Sequence, residues 1–360
     1  MKITNVQTQK VLVPLKKPLI TAIHKTDSVG VVIVKIETDT GLVGENYVFA
    51  LNKDRLDVFD AMIKSLTQFL IGNNPVYVEK IWQQMWQDCN PVGQKGIAIS
   101  AISAIDTALW DLIGKQANMP LYQVFGACRD KVKTYASSGL WLSSNIDELI
   151  EEAHGFIDQG FRSMKLRLGK PDLKEDVERA RALRASVGDD IEILTDANQS
   201  LTPRQAIALG RQLEDLNIAW LEEPVPAHDL AGHNRVLEAI NIPVASGETD
   251  YTRFGMKDML DHKAVDILMP DLQRIGGLSE FRKAAALASA YHIPVSSHIF
   301  TEQSLSIAGS ADNCISVEHV DWFAPLYQEK IVINDGFIDM PMGAGIGFNF
   351  DYDFIDQNLI

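Results

Sequence analysis

Cysteine is scarce in this chain, with Cys89, Cys128 and Cys314 the three among 360 residues. So few scattered thiols exclude a disulfide framework, and with no C-x-x-C pair they exclude a thiolate zinc site as well. They read as buried thiols in a reducing compartment. Basic residues are also short, 33 Lys and Arg against 48 Asp and Glu, for a net charge of −15. So acidic a surface repels nucleic acid and anionic membrane, and the expected partner is a small molecule. No apolar run approaches the ~18 residues of a membrane span. The opening MKITNVQTQKVLVPL alternates apolar and polar residues and does not read as a signal peptide, so a cytoplasmic setting is expected. Internal repeats, low-complexity tracts and charge blocks are missing too. The Gly-rich stretch Met340 to Gly345 follows no strand and opens no helix, so it reads as turns and not as a phosphate cradle.

What the chain does have is a spacing. Asp196 in ILTDANQ, Glu222 in AWLEEP and Glu248 in VASGETD each lie at or near the end of a short apolar run, 26 residues apart in both steps (222 − 196 and 248 − 222). A strand, a crossover helix and two loops need roughly that length, which places the carboxylates at the C-terminal tips of successive parallel strands. Bare like charges converging there repel, and a bound divalent cation is the simplest way to keep them ionised. An all-oxygen set suits Mg²⁺ better than Zn²⁺.

The rest of the chain is consistent with that placement. Residues 1–128 read as an α+β unit, with strands over Ile3 to Val13, Val31 to Ile36 and Leu42 to Tyr47, then helices over Arg55 to Ile71, Val78 to Gln87 and Ile99 to Gln116. From 129 to 325 short apolar strands alternate with amphipathic helices such as Ile146 to Gln159, Lys174 to Val187 and Pro203 to Leu213. Eight strands are legible: Val132 to Ser137, Ser163 to Leu168, Glu192 to Asp196, Ala219 to Glu222, Val244 to Glu248, Asp266 to Pro270, Pro294 to His298 and Ile315 to Glu318. Eight strands close a barrel. Residues 326–360 carry no strong helical pattern and are expected to pack back on the N-terminal unit.

In such a barrel the loops after the strands build the active site. The remaining tips carry Lys165 and Arg167 on strand two, Asp271 after strand six, His298 on strand seven and Glu318 on strand eight. Alternation in Met164-Lys165-Leu166-Arg167 turns both cations to one face, towards the carboxylates, which suits an anionic substrate bridged to a metal. An Asp beside a His fixes its tautomer and raises its basicity, so Asp271 and His298 read as a proton carrier. Glu318 is able to hydrogen-bond a substrate oxygen if protonated. His233, His262, His292 and His319 sit in no motif, and no role is expected of them.

Taken in order, these residues resemble the mandelate racemase subgroup of the enolase superfamily. The matching signals are K-x-R on strand two, D-x-N at Asp196 to Asn198, L-E-E-P at Leu221 to Pro224, S-G-E at Ser246 to Glu248, P-D-x-x-x-x-G-G from Pro270 to Gly277, and S-S-H at Ser296 to His298. The Asp106-x-x-x-Trp110-Asp111-x-x-Gly114-Lys115 helix fits as well. The resemblance spans both domains and implies an α/β fold, a modified (β/α)7β TIM-type barrel under an N-terminal α+β capping domain. It implies abstraction of the proton α to a carboxylate, with Mg²⁺ stabilising the enediolate, as the superfamily's Lys or His bases and Mg²⁺ do generally. Carried over by position, Asp196, Glu222 and Glu248 are the metal ligands and His298 with Asp271 the acid/base dyad. Glu318 becomes the hydrogen-bond donor to the substrate carboxylate, Lys165 its contact near the metal, and Asn198 a contact to a substrate hydroxyl. An even-numbered homo-oligomer is the family's habit.

One position departs from the pattern. Mandelate racemases carry Lys-x-Lys, the second lysine being the base for one enantiomer, and Arg167 stands there here. Guanidinium stays protonated at neutral pH, which disfavours two-base racemisation. A one-base route is left, in which His298 removes the α-proton and then protonates the departing β-hydroxyl, while Arg167 offers charge and a fixed fork to the substrate. Strand six carries Asp271 where the muconate-lactonising branch carries lysine. The loops that select substrate in this family correspond to Leu19 to Ser28 and Tyr47 to Asn52, with His24, Lys25 and Tyr47 as candidate substrate contacts. The polar character of His24 to Ser28 favours a polyhydroxy acid. The expected activity is a Mg²⁺-dependent sugar-acid dehydratase acting on an aldonate or aldarate; the alternative is a racemase, epimerase or sugar-lactone cycloisomerase using the same enediolate.

Overall fold

The N-terminal sheet follows from runs of β-branched residues long enough to bury both faces of its central strand. The structure, a computed structural model, describes residues 1–20, 25–51 and 53–360. Strands β1 (Ile3–Ile20), β2 (Lys25–Thr38) and β3 (Val43–Ala50) pair antiparallel in that order. On β2, Val31 and Ile33 join the core shared with the barrel, while Val32, Val34 and Ile36 join the core beneath helices α1 (Leu56–Leu66), α2 (Val78–Asp88) and α3 (Ile97–Ala117). A strand buried on both sides reads as a continuous apolar run, as this one does.

The hairpin is longer than the sequence suggested. Leu19 pairs with Thr26 and Ile20 with Lys25, so the described residues of the expected first loop, 19–20 and 25–28, belong to β1 and β2. The expected second loop begins inside β3, whose pairing with β2 continues through Tyr47, Phe49 and Ala50.

Helix α3 is the longest helix among the described residues. By length and composition it is apolar enough to cross a membrane, yet 83% of its apolar window is buried inside the protein, as the central helix of the cap. Its few polar groups join the parts of the molecule. Asp106 accepts hydrogen bonds from Ser279 N (3.0 Å) and Ser279 Oγ (2.6 Å), and Trp110 Nε1 donates to the same hydroxyl (2.8 Å). Asp111 accepts from Glu45 N and Ile346 N, each at 3.0 Å. Gly114 faces Gly345 so closely that a Cβ would stand 2.6 Å from its Cα, which excludes any side chain there. The D-x-x-x-W-D-x-x-G-K pattern is thus a clamp holding cap, barrel and tail together.

The barrel strands are β4 (Lys131–Ala136), β5 (Ser163–Arg167), β6 (Glu192–Asp196), β7 (Ile218–Glu222), β8 (Val244–Ser246), β9 (Ile267–Leu268), β10 (Val295–Ser297) and β11 (Cys314–His319). All neighbours in this series are parallel, and β11 pairs back to β4 to close the barrel. Its helices begin on strong caps: Asn145 and Thr202 each form a capping box, worth about 1 kcal/mol apiece. Several strands stop short of the expected ends. Gly247 leaves the strand at φ 137, where a Cβ would stand 3.1 Å from Met269 N, and Pro270 has no N–H to continue β9.

After the barrel, β12 (Phe337–Asp339) pairs antiparallel with β4. The chain then returns to the cap, where Leu12 N donates to Asn358 O (3.1 Å) and Val11 bridges Leu359. A short helix, Tyr352–Gln357, forms in this tail, where the sequence pattern had suggested none.

Candidate active site

Parallel register brings the strand tips side by side. Arg167 pairs with Asp196 across β5 and β6, Asp196 with Glu222 across β6 and β7, and Asp271 with His298 through an isolated bridge beyond β9 and β10. Eight of the expected site residues therefore meet at one mouth: Lys165, Arg167, Asp196, Glu222, Glu248, Asp271, His298 and Glu318. Asn198 joins them through Asp196, donating its backbone N–H to Asp196 Oδ1 (2.7 Å) and its Nδ2 to Asp196 Oδ2 (3.1 Å).

On one wall two cations face the carboxylates. Lys165 Nζ lies 2.6 Å from Glu318 Oε1, 3.0 Å from Glu222 Oε1 and 3.7 Å from Asp196 Oδ2. Burial alone would pull the ammonium down, but Glu222 and Glu318 outweigh it and hold Lys165 above its ordinary range. Arg167 pairs with Asp196, donates to Ser137 Oγ (2.8 Å) and Ser137 O (3.3 Å), and lies 5.0 Å over the Trp141 ring. Arg179 braces this corner by donating to Arg167 O (2.7 Å) and Trp141 O (2.8 Å). Arg167 is a fixed, permanently charged fork.

The opposite wall is a chain of contacts through one imidazole. His298 Nδ1 meets Asp271 Oδ2 at 2.7 Å, and Nε2 meets Glu248 Oε2 at 3.2 Å. Asp271 Oδ1 accepts from Gln273 N and Arg274 N, each at 2.8 Å, which fixes the carboxylate. Burial pulls the imidazole down, but Glu248, Asp271 and Glu318 together push it up to about 9. Burial would raise Asp271, yet its bond to His298 and the charge of Arg274 hold it below the usual carboxylate range.

Glu318 is surrounded by donors and positive charge. It accepts from Lys165, from Ser137 Oγ (2.5 Å) and from Ile299 N (2.9 Å), and the charges of Lys165, His298 and Arg167 outweigh burial to hold it well below the usual carboxylate range. Every hydrogen bond described for its carboxylate is one that it accepts. Its contact with Ile299 costs backbone strain, because Ile299 is β-branched at φ 34.

Tyr47 corrects an expectation. It is fully buried, wedged between Phe323 (5.1 Å), Phe300 (6.0 Å) and Phe350 (6.4 Å), and does not wall the mouth. Phe49, further along β3, is the partly exposed aromatic, packed on Phe300, Trp322 and Phe323. His24 lies outside the described residues, as does the Lys25 side chain.

The donor set fits a hard divalent cation. Asp196, Glu222 and Glu248 supply oxygen alone, and they are crowded: burial, with repulsion from Asp196, Glu318 and Glu248, pushes Glu222 up to about 8 despite Lys165. As the side chains stand, Lys165, Arg167 and His298 meet this charge, and among the described residues no three His, Cys, Asp or Glu side chains are drawn into one cage. Holding a cation there requires the three carboxylates to exchange these partners for it.

Residues given no role by the motifs complete the site. Trp220 Nε1 donates to Glu222 Oε2 (3.0 Å) and Arg274 Nη1 to Glu248 O (2.8 Å), while Gln199 and Thr249 bond the buried Glu223. Ser137 was detectable as the last residue of an expected strand. Trp141, Trp220 and Arg274 carried no such signal.

Comparison with known proteins agrees with this fold. Residues 3–126 match the mandelate racemase / muconate lactonizing enzyme N-terminal domain, and residues 148–354 match the enolase C-terminal domain-like family. The chain belongs to the enolase superfamily, in its mandelate racemase/muconate lactonizing group. L-Talarate/galactarate dehydratase of Salmonella typhimurium is 31% identical over 345 residues, covering 96% of this chain and 85% of that protein. D-Galactarolactone cycloisomerase of Agrobacterium fabrum is 35% identical over 378 residues, covering 99% and 98%. A crystal structure of an L-talarate/galactarate dehydratase variant with Mg and L-glucarate has a TM-score of 0.96 at 29% identity, covering 100% of this chain and 92% of that one.

Proposed function

We propose that the chain is a Mg²⁺-dependent dehydratase of a sugar acid, aldonate or aldarate, that removes the proton α to a carboxylate and expels the β-hydroxyl. The observation that carries this reading is the asymmetry of the mouth. One wall holds a buttressed imidazole, and the other holds a guanidinium that cannot accept a proton at neutral pH. The similarity to a talarate/galactarate dehydratase supports it.

Mg²⁺, held by Asp196, Glu222 and Glu248, would supply positive charge to the substrate carboxylate as the α-carbon gives up its proton. Lys165 adds charge to the same carboxylate. His298 Nε2 takes the α-proton while Asp271 holds Nδ1, and the imidazolium then returns that proton to the departing β-hydroxyl, releasing water. Tautomerisation of the resulting enol gives a 2-keto-3-deoxy acid. Glu318 hydrogen-bonds the carboxylate once it carries a proton, and Arg167 anchors a further oxygen of the substrate. For His298 to act as a base, the pull of Glu248 on its proton must fall, and a cation held by Glu248 would supply the charge that weakens it.

A second reading rests on the 35% identity to a galactarolactone cycloisomerase. It uses the same α-proton abstraction but expels a lactone oxygen within the molecule, so no water is lost. The test is a screen of purified protein with Mg²⁺ against mono- and diacid sugars and their lactones. Keto acid formed from an open-chain acid, with loss of water, supports dehydration. Turnover of lactones alone supports the cycloisomerase, and silence towards every acid and lactone rejects both.

A further inference from the structure

The segment that begins with Asp271 is the place where the cap grips the barrel. Ser103 Oγ on α3 donates to Leu272 O (2.9 Å), Trp82 Nε1 on α2 donates to Gly276 O (2.9 Å), and Asp106 holds Ser279. At the centre is Gln273, a residue only 3% exposed. Its Oε1 accepts from Phe49 N (2.8 Å) and its Nε2 donates to Tyr47 O (3.0 Å). β3 is an edge strand of the cap sheet, with a free peptide N–H and C=O on this side, and one side-chain amide satisfies both as a neighbouring strand would. The orientation of the amide follows from that pairing, since the peptide N–H needs an acceptor and the carbonyl a donor. The backbone N–H of the same residue holds Asp271 Oδ1 at 2.8 Å, and Asp271 Oδ2 holds His298. Cap strand and dyad thus share one residue.

We propose that Gln273 is a positioning residue, through which the cap strand leading to Phe49 and Leu51 sets the orientation of Asp271 and, through it, of His298. The cap then takes part in aligning the chemistry as well as covering it. This rests on the dyad assignment made above. Misplacing a general base by a fraction of an ångström is costly, because proton transfer needs hydrogen-bond geometry.

The test compares Gln273→Leu, which removes both amide bonds, and Gln273→Glu, which keeps only an acceptor for Phe49 N, with Ser103→Ala as a control that loosens the same seam elsewhere. Holoenzyme with Mg²⁺ is examined in two ways. The first needs no substrate: the proton resonance of His298 Nδ1–H, assigned by its loss in His298→Asn, reports the bond to Asp271. It is expected to move or broaden in both Gln273 variants and to stay in Ser103→Ala. The second is turnover, where kcat is expected to fall roughly tenfold in Gln273→Leu and less in Gln273→Glu, with KM nearly unchanged. Ser103→Ala lowers the melting temperature and keeps kcat. An unshifted imidazole signal in Gln273→Glu, or equal loss of kcat in Ser103→Ala, overturns the proposal. If the wild type turns over no acid sugar, the dehydratase reading fails, while the resonance still decides the role of Gln273.

Discussion

The two walls of the barrel mouth are built on opposite principles. On the Lys165–Arg167 side, each cation is tied by several short contacts from different strands, and Trp141 and Arg179 seal the corner. Such a wall holds charge still. On the Asp271–His298 side one ring nitrogen is fixed and the other meets a carboxylate that a cation would claim, so the imidazole is set up to change its proton. A site with one immobile wall and one proton-carrying wall suits an elimination run by a single base better than a reaction that needs a base on each face.

Removing the metal is expected to have the largest effect, because neither wall supplies the positive charge that Mg²⁺ would bring to the substrate carboxylate. Dialysis against a chelator should abolish turnover, and adding Mg²⁺ back should restore it and raise the melting temperature, as a ligand bound only by the folded state does. A melting temperature indifferent to Mg²⁺ contradicts the ligand assignment. His298→Asn removes the proton carrier alone and should lower kcat by roughly 10²- to 10⁴-fold, read as both keto-acid release and α-deuterium uptake. Arg167→Lys tests the immobile wall: it keeps the charge but gives up the fork, so a loss of about tenfold, or about 1.4 kcal/mol, is expected with the product unchanged. New epimerisation of the substrate in that variant would show that a lysine at this position acts as the second base that arginine withholds.

The smallest effect compares two histidines on either side of Glu318. His298, crowded by carboxylates, is pushed up to about 9, whereas His319 is held down to about 4 by burial, with Nδ1 lacking a hydrogen-bond partner among the described residues. A histidine whose folded pKa lies below its ordinary 6.5 stabilises the fold above that value, and the stability is lost as pH falls from 6.5 towards 4. His319→Gln should flatten that stretch of the stability profile, measured by chemical unfolding at a series of pH values. An unchanged slope would mean that His319 is protonated in the folded protein.

How much of this was legible in the sequence depended on how far apart the deciding groups lie. Strand tips were readable because period-2 alternation and a fixed step put Lys165, Asp196, Glu222 and His298 at the ends of apolar runs. Tyr47 was misplaced because its burial comes from Phe300, Phe323 and Phe350, hundreds of residues away, which no local pattern encodes. The charge of Glu318 was out of reach for the same reason, since Lys165 on β5 decides it. Gln273 sits inside a motif whose Asp and Gly pair drew the eye, and only the fold reveals that its amide completes a strand of the other domain. The clamp role of Asp106 and Asp111 likewise needed the barrel and tail in place.

The most direct measurement is the reaction in D₂O with a turned-over acid sugar, stopped halfway, with the unreacted substrate recovered and its α-carbon configuration determined by NMR and chiral chromatography. A single proton carrier on one face predicts keto acid together with recovered substrate that keeps its configuration, whether or not deuterium has washed in. Recovered substrate that is epimerised at the α-carbon would place a second base on the Arg167 wall and contradict the asymmetry on which the proposed function rests.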